Sequence, residues 1–269
     1  MSATDSTDRR TSESEAETQA AAPTADTSGL APRFGIRDLV TPVFVVAATA
    51  AIFIYINTAD LDQIEENSFR NIGARALDHI LISFVIAGIV LVIAVSLGIL
   101  VTRPRFKWTA PGVLGLANGG QAIPSIGLLA LIAAAFVGFW AVVLALTAYA
   151  VLPVLRNTIV GIEQVDAGVK DAARGMGMSG GEVLRRVELV LAVPVIAAGA
   201  RTALVLAVAT VPFGQYLGFG GLGEPLFTGL KTQREVVIYA CAALIALLAL
   251  SIDWLAGVAQ RLITPRGIA

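Results

Sequence analysis

Residues 165–195 read VDAGVKDAARGMGMSGGEVLRRVELVLAVPV, a polar interruption between two strongly apolar blocks. Asp166 stands where it can cap a short helix, and Val169, Ala172, Ala173 and Met176 follow at i, i+3, i+4 and i+7, which makes one narrow apolar face. Small Ala172 and Ala173 allow close contact on that face. Gly175 and Gly177 break the helix, and Ser179-Gly180-Gly181-Glu182 has the S-x-x-E form of a capping box that opens the next one. Acid-before-base pairs at Asp166/Lys170 and Glu182/Arg186 support the two helices by about 0.2–0.5 kcal/mol each. Val183, Leu184, Val187 and Leu191 give the second an apolar side. The product is a helix-turn-helix of two short amphipathic pieces. Such a shape suits a groove on another protein. It suits equally an interfacial position on lipid, or a plain connection, and the residue pattern leaves all three open.

The flanking blocks set the fold class. With 56% hydrophobic and 14% charged residues, the composition excludes an ordinary soluble domain and indicates an all-α polytopic membrane protein. A crossing needs about 20 mostly apolar residues, so 39–56 and 80–101 each read as one span. Residues 108–155 carry no charge, and as one helix they would extend about 70 Å, enough for two crossings. Val137-Gly138-Phe139 is the expected turn between them. Residues 189–211 and 236–258 bring the expected count to six. Ahead of the spans, residues 2–29 contain no Val, Ile, Leu, Phe, Tyr or Trp, so residues 1–38 read as a disordered tail without chemistry of its own. A secretory signal would place its apolar run earlier than the one that begins near Leu39. The domain reading is then the tail, a first span with an outer loop over 39–79, a transmembrane unit over 80–258, and a C-terminal tail over 259–269.

Orientation follows the basic residues, which are enriched in retained loops. With the tail inside, the outer segments hold only Arg70, Arg75, Lys231 and Arg234, while the inner ones hold most of the rest, from Arg9 through Arg103, Lys107, Arg156, Lys170 and Arg185 to Arg266. Both termini and the 165–188 loop are expected in the cytoplasm. The outer loop 57–79 is acidic and reads as a solvated surface.

No G-x-x-x-x-G-K-[ST] phosphate loop is present, so ATP has no usual cradle here. His79, alone at an expected membrane boundary, reads as a polar interfacial residue, and Cys241 as a small packed one; neither supplies a metal site. No Ser-His-Asp or paired-carboxylate arrangement can be assembled, and the chain is read as non-catalytic. Gly119, Gly120 and Pro124 in the third span, with Gly214, Gly218, Gly220, Gly221 and Gly223 after the fifth, would free backbone groups, which membranes tolerate only against protein or water. Close packing through small residues is the competing explanation. Asn118, Gln121, Pro124 and Ser125 together make the third span a candidate lining of a pathway. Arg201, about twelve residues into the fifth span, is either a functional group facing the bundle or water, or an anchor on backbone carbonyls. Asp253 lies near the inner end and reads as a solvated boundary residue.

Asp171-Ala172-Ala173 through Gly177, followed by Val187-Glu188-Leu189, resembles the E-A-A-x-x-x-G and I-x-L-P pattern on the cytoplasmic loop of binding-protein-dependent ABC importer permeases. AARGMGM at 172–178, Arg185-Arg186-Val187-Glu188-Leu189, Gln121-Ala122-Ile123-Pro124-Ser125, Leu152-Pro153-Val154-Leu155-Arg156-Asn157-Thr158 and Gly220-Gly221-Leu222-Gly223 are similar to the osmoprotectant branch, which imports glycine betaine, choline, carnitine and related solutes. The likeness runs from about Ile80 to Asp253. Asp171 replaces the usual Glu, Val190 stands where a Pro is common, and residues 211–216 are atypical. The missing Pro predicts that the helix runs on and that any kink comes from Pro194.

The resemblance implies a type I importer permease in the bacterial cell membrane, paired with a second permease subunit, with ABC ATPase subunits beneath and an extracytoplasmic solute-binding protein outside. It implies an ATPase-coupling role for Asp171, Ala172, Ala173, Arg174, Gly175, Gly177 and Glu182. ATP and Mg are then expected on the ATPase, no cofactor on this chain, and no nucleic acid as partner. An ABC permease for another small solute, such as an amino acid, is the alternative within the family, and two other classes compete: a secondary transporter or channel working alone, which would need intramembrane acids, and a membrane anchor that only recruits a partner.

Overall fold

Pro124 divides the third apolar block into two helices. In the computed structural model, which describes residues 36–58 and 72–263, Ile123 is extended (φ −75°, ψ 131°), as the clash with a following proline ring favours. Helix α3 (Ala110–Ala122) therefore stops there, α4 (Ser125–Ala133) starts anew, and the two pieces are bent by 99°. The other helices are, in chain order, α1 (Ile36–Thr58), α2 (Ile72–Thr102), α5 (Phe139–Glu163), α6 (Ala167–Gly175), α7 (Gly180–Val183), α8 (Leu189–Thr210), α9 (Gly223–Thr232) and α10 (Glu235–Ile263). All regular structure among the described residues is helical. Residues 1–35 of the expected tail, most of the acidic outer loop and the last six residues lie outside the described residues, and α1 begins inside the stretch read as tail.

The expected count of six spans is not exact. Among the described residues four helical runs are long and apolar enough to cross a membrane: Ile72–Thr102, Phe139–Glu163, Gly180–Leu217 and Glu235–Ile263. The bent pair is a fifth if counted as one span, and α1 carries a shorter apolar stretch, Leu39–Tyr55. The turn expected at residues 137–139 is present: Gly138 adopts φ 118°, a region open to glycine, and α5 begins at Phe139. Two boundaries move outward. Helix α2 starts at Ile72, inside the stretch read as loop, and α10 continues to Ile263, past the expected end at 258.

Helix α5 is the central post. Helices α2, α3, α4 and α8 pack on it, and α10 packs on the far side of α8. The core joins Ile86, Val90 and Ala94 of α2, Leu146, Val154 and Leu155 of α5, and Ala203 and Ala207 of α8. Against lipid the hydrophobic effect does not drive helices together, so close approach through small residues matters more. At Gly199 a Cβ would lie 2.9 Å from Asn157 Cβ and 3.0 Å from the Pro153 carbonyl oxygen, so α8 and α5 touch backbone to backbone.

Pro153 and Pro194 sit inside α5 and α8 without ending either. Near Pro194, Asn157 Nδ2 donates to the Val195 carbonyl (3.0 Å) and Gln260 Nε2 to the Pro194 carbonyl (3.1 Å), so side chains of α5 and α10 reach backbone acceptors at the proline. The run also carries an irregularity ahead of Pro194. It is a π-helical turn at Leu184–Glu188, closed by the Leu189 amide on the Leu184 carbonyl.

The glycines after α8 resolve toward packing. Gly218 takes a left-handed turn (φ 81°) that ends the 3₁₀ stretch Val211–Leu217, and a Cβ at Gly221 would lie 2.7 Å from His79 Cβ. His79 is fully buried, its Nε2 2.9 Å from the Val208 carbonyl, so it joins α2 to α8 and is not the interfacial residue expected. Cys241 is fully buried, as its apolar surroundings suggested.

Candidate functional site

The polar interruption folds into a two-helix projection. Asp166 caps α6 by accepting from the Val169 amide at 3.2 Å. Gly177 (φ 86°) closes the helix, with the Met178 amide reaching back to the Ala173 carbonyl at 3.2 Å, a bond pattern that needs a left-handed residue in its middle. Ser179 and Glu182 form the reciprocal capping box: the Ser179 amide donates to Glu182 Oε2 (2.9 Å) and the Glu182 amide to Ser179 Oγ (3.4 Å). These hydrogen bonds, the Ser179 amide first, hold the Glu182 carboxyl below its ordinary range; the residue is fully exposed on the polar loop, ahead of the apolar stretch that begins at Leu189.

Two details differ from expectation and a third was not anticipated. The apolar face of α6 is split: Ala173 is turned into the chain at 2% exposure, while Val169, Ala172 and Met176, the last 73% exposed, point away from it. Lys170 does not pair with Asp166; its Nζ donates to the Ile162 carbonyl at 3.2 Å, where the end of α5 leaves acceptors open. Arg174 pairs with Asp171 one turn earlier, at 2.9 Å.

The projection is tied down at its base by an ion pair that the sequence reading did not find. Arg103, just past α2, donates from Nη2 to Glu188 Oε2 at 2.6 Å, and the Glu188 side chain is only 7% exposed. Glu188 closes the π-helical turn, so the turn aims a carboxylate at the end of α2. Glu188 was visible as part of a motif, but nothing in sequence separates its partner from Arg105 or Lys107. Lys107 stands instead 3.7 Å from Glu163.

The candidate pathway residues divide into a group and an outlier. Asn118 is exposed on α3, its Nδ2 donating to the Leu114 carbonyl (2.8 Å) and its Oδ1 accepting from Arg156 Nη2 of α5 (2.6 Å). Gln121 lies half-buried one turn on; Pro124 is exposed and Ser125 half-buried at the bend. Gly120 lets this helix lie against α5, since a Cβ there would meet the Ala148 carbonyl oxygen at 2.6 Å. Arg201 stands apart. Its Nε and Nη2 donate to both carboxylate oxygens of Asp253 on α10, at 2.6 and 2.5 Å, so Asp253, read as a solvated boundary residue, is also an ion-pair partner. Gly257 makes room: a Cβ there would lie 2.9 Å from the guanidinium.

At the end of the bundle away from the projection, Arg75 of α2 makes a forked ion pair with Glu224 of α9, Nη2 to Oε1 at 2.9 Å. The pair borders an open cavity of 470 Å³ lined also by Asp78, Phe139 and Phe219. With the partners 149 positions apart, no local pattern could have announced it.

Comparison with known proteins completes the description. Residues 94–266 match the family model described as "Binding-protein-dependent transport system inner membrane component". The chain is 36% identical over 192 residues to the glycine betaine/carnitine/choline transport system permease protein OpuCB of Bacillus subtilis (strain 168), covering 71% of this chain and 88% of that protein. It is 35% identical over 203 residues to the osmoprotectant import permease protein OsmW of Salmonella typhimurium, covering 73% and 94%. Among solved structures, a chain of the MetNI methionine ABC transporter in an inward-facing conformation superposes with a TM-score of 0.66 at 22% identity, covering 75% of this chain and all of that one, a likeness of fold.

Proposed function

Because this chain belongs to the family of binding-protein-dependent transport system inner membrane components, we propose that it is the membrane-crossing permease subunit of an ATP-driven importer of quaternary-amine osmoprotectants, such as glycine betaine, choline and carnitine. The relatives named for those solutes support the substrate class, since the similarity spans most of both chains. A permease is not itself an ATPase, and the absent phosphate loop agrees with hydrolysis, with its ATP and Mg, on separate subunits.

One observation carries the coupling role. The projection is anchored at its base through Arg103–Glu188 and Lys170, while Val169, Ala172 and Met176 stand exposed on its outer face. A stiff base with an open apolar tip is what a lever seated in a partner's groove requires. In this reading Ala172, Asp171, Arg174 and Met176 meet the ATPase, Ala173 holds α6 to its own chain, and Gly175, Gly177 and Glu182 shape the turn. The basic residues clustered near the projection support a cytoplasmic position for it and for both termini. A second permease subunit would cover the polar face around Asn118, and a solute-binding protein would deliver cargo at the opposite end. ATP-driven movement of the ATPases would then reorient the spans as rigid bodies.

The test is uptake of labelled glycine betaine by cells carrying the whole transport system. Deletion of this chain should abolish uptake, and Met176→Asp should abolish it while leaving the permease in the membrane. Uptake by the purified chain reconstituted without any ATPase would overturn the proposal in favour of a secondary transporter.

A further inference from the structure

Aromatic rings gather at the end of the bundle away from the projection, in and around the stretch 211–216 that is atypical in sequence. The 3₁₀ period of Val211–Leu217 sets Phe213 and Tyr216 on one face, and both rings meet Phe227 of α9, with centroids 6.1 and 5.2 Å away. Past the left-handed Gly218, the Phe219 amide donates to the Gly214 carbonyl at 3.0 Å, and the Phe219 ring stands edge-on to Phe139 at 5.6 Å. Backbone and neighbouring ring thus fix Phe219 beside the cavity that it lines with Phe139, Asp78, Arg75 and Glu224. Its volume of 470 Å³ falls within the range of roughly 300–1,000 Å³ found for small-molecule sites.

The charges around this cavity do not cancel. Arg75 and Glu224 neutralise each other in their forked pair, whereas Asp78 is exposed and has no cationic side chain within 4.0 Å among the described residues. The rest of the lining is aliphatic surface of α2 and glycine backbone. A metal ion, or a cation rich in N–H groups, would need several oxygen acceptors around it. A quaternary ammonium needs none. It has no N–H to satisfy, its methyl groups pack on carbon, and its charge is attracted by aromatic rings and by a nearby carboxylate.

We propose that this cavity receives the quaternary ammonium head of the transported solute, with Phe219 and Phe139 as its wall and Asp78 as its counter-charge. The inference rests on the osmoprotectant reading above and adds a recognition site on the permease itself. Because the cavity is open on one side, the carboxylate of glycine betaine or the hydroxyl of choline stays in water, and the site selects the head group that the two solutes share. It lies at the end where a solute-binding protein would release its cargo.

The test is equilibrium binding of labelled choline to the complex of permease and ATPase, purified in an uncharged detergent without the solute-binding protein. Unlabelled tetramethylammonium should displace the label, and dimethylbutanol, the uncharged carbon counterpart of choline, should not. The dissociation constant should rise about fivefold in Phe219→Leu, which removes the ring, and about fivefold in Asp78→Asn, which removes the charge. Trp108→Phe, an exposed change at the other end of the bundle, should leave it within about twofold of the parent. If one cavity variant does not assemble, the other decides. No saturable choline binding by the parent complex overturns the site, as does equal displacement by dimethylbutanol or an unchanged dissociation constant in the assembled cavity variants. Uptake by cells carrying the whole system tests the osmoprotectant reading separately: uptake of neither glycine betaine nor choline sinks that reading, whereas normal uptake beside unchanged binding sinks the site alone.

Discussion

Arg201 of α8 grips Asp253 of α10 with two parallel hydrogen bonds, Nε to Oδ1 at 2.6 Å and Nη2 to Oδ2 at 2.5 Å. Each side chain keeps a little over a third of its surface exposed, 37% and 38%. Removing one partner of a fully buried pair costs about 3–5 kcal/mol, and a water-exposed pair contributes about 0.2–1 kcal/mol. For this half-covered pair, Arg201→Met should therefore lower stability by roughly 1–3 kcal/mol. The double variant Arg201→Met, Asp253→Leu should recover most of that loss, because no unpaired charge is left. Thermal unfolding of the purified protein in detergent measures both, and equal losses in the single and double variants would refute the pairing as the source.

The split face of α6 separates two kinds of substitution. Ala172→Arg and Met176→Asp change exposed positions, so they should leave the unfolding temperature within a degree or two of the parent and yet abolish recovery of the ATPase with the affinity-purified permease. Ala173→Arg forces a charge into a buried position and should lower the unfolding temperature as well. Co-purification and unfolding, read side by side, distinguish a docking surface from an internal contact.

Glu188 anchors the projection through Arg103, and its burial makes the charge costly to leave alone. Arg103→Ala should destabilise the protein by roughly 2–4 kcal/mol, close to the range for breaking a buried pair. The effect should be local first. Hydrogen exchange should show faster amide exchange across residues 165–188 than across α5, and uniform acceleration throughout the chain would count against an anchoring role.

The capping box carries a pH dependence whose sign is set by Glu182. Its carboxyl is held below the ordinary range by the Ser179 amide and hydroxyl, so the folded form binds its proton less readily than the unfolded one. The contribution is complete above the unfolded value and is lost as the pH falls through the lowered folded value. Limited proteolysis between Gly177 and Val183 should accelerate on acidification in the parent. Glu182→Gln should show faster cleavage already at neutral pH and little further change.

Much of this molecule was legible in residue order because the decisive forces are local or averaged. A bilayer requires long apolar helices, so composition and charge spacing revealed the membrane class and most span positions. Capping is a matter of three or four consecutive residues, so Asp166, Gly177 and the Ser179–Glu182 box could be read directly. The break at Pro124 was foreshadowed by the ring that excludes a helical Ile123, though its 99° bend was not.

The pairings had no such signature. Arg201 with Asp253, Arg103 with Glu188, Arg75 with Glu224 and Arg156 with Asn118 join residues 38 to 149 positions apart. Each depends on which helices pack side by side and on how each is rotated about its axis. The same rotation turns Ala173 inward and Met176 outward on one short helix that sequence periodicity had treated as a single face. A hydrophobic pattern says that a helix has an apolar side; the neighbour that covers part of it is chosen by close packing, and packing is a property of the assembled bundle.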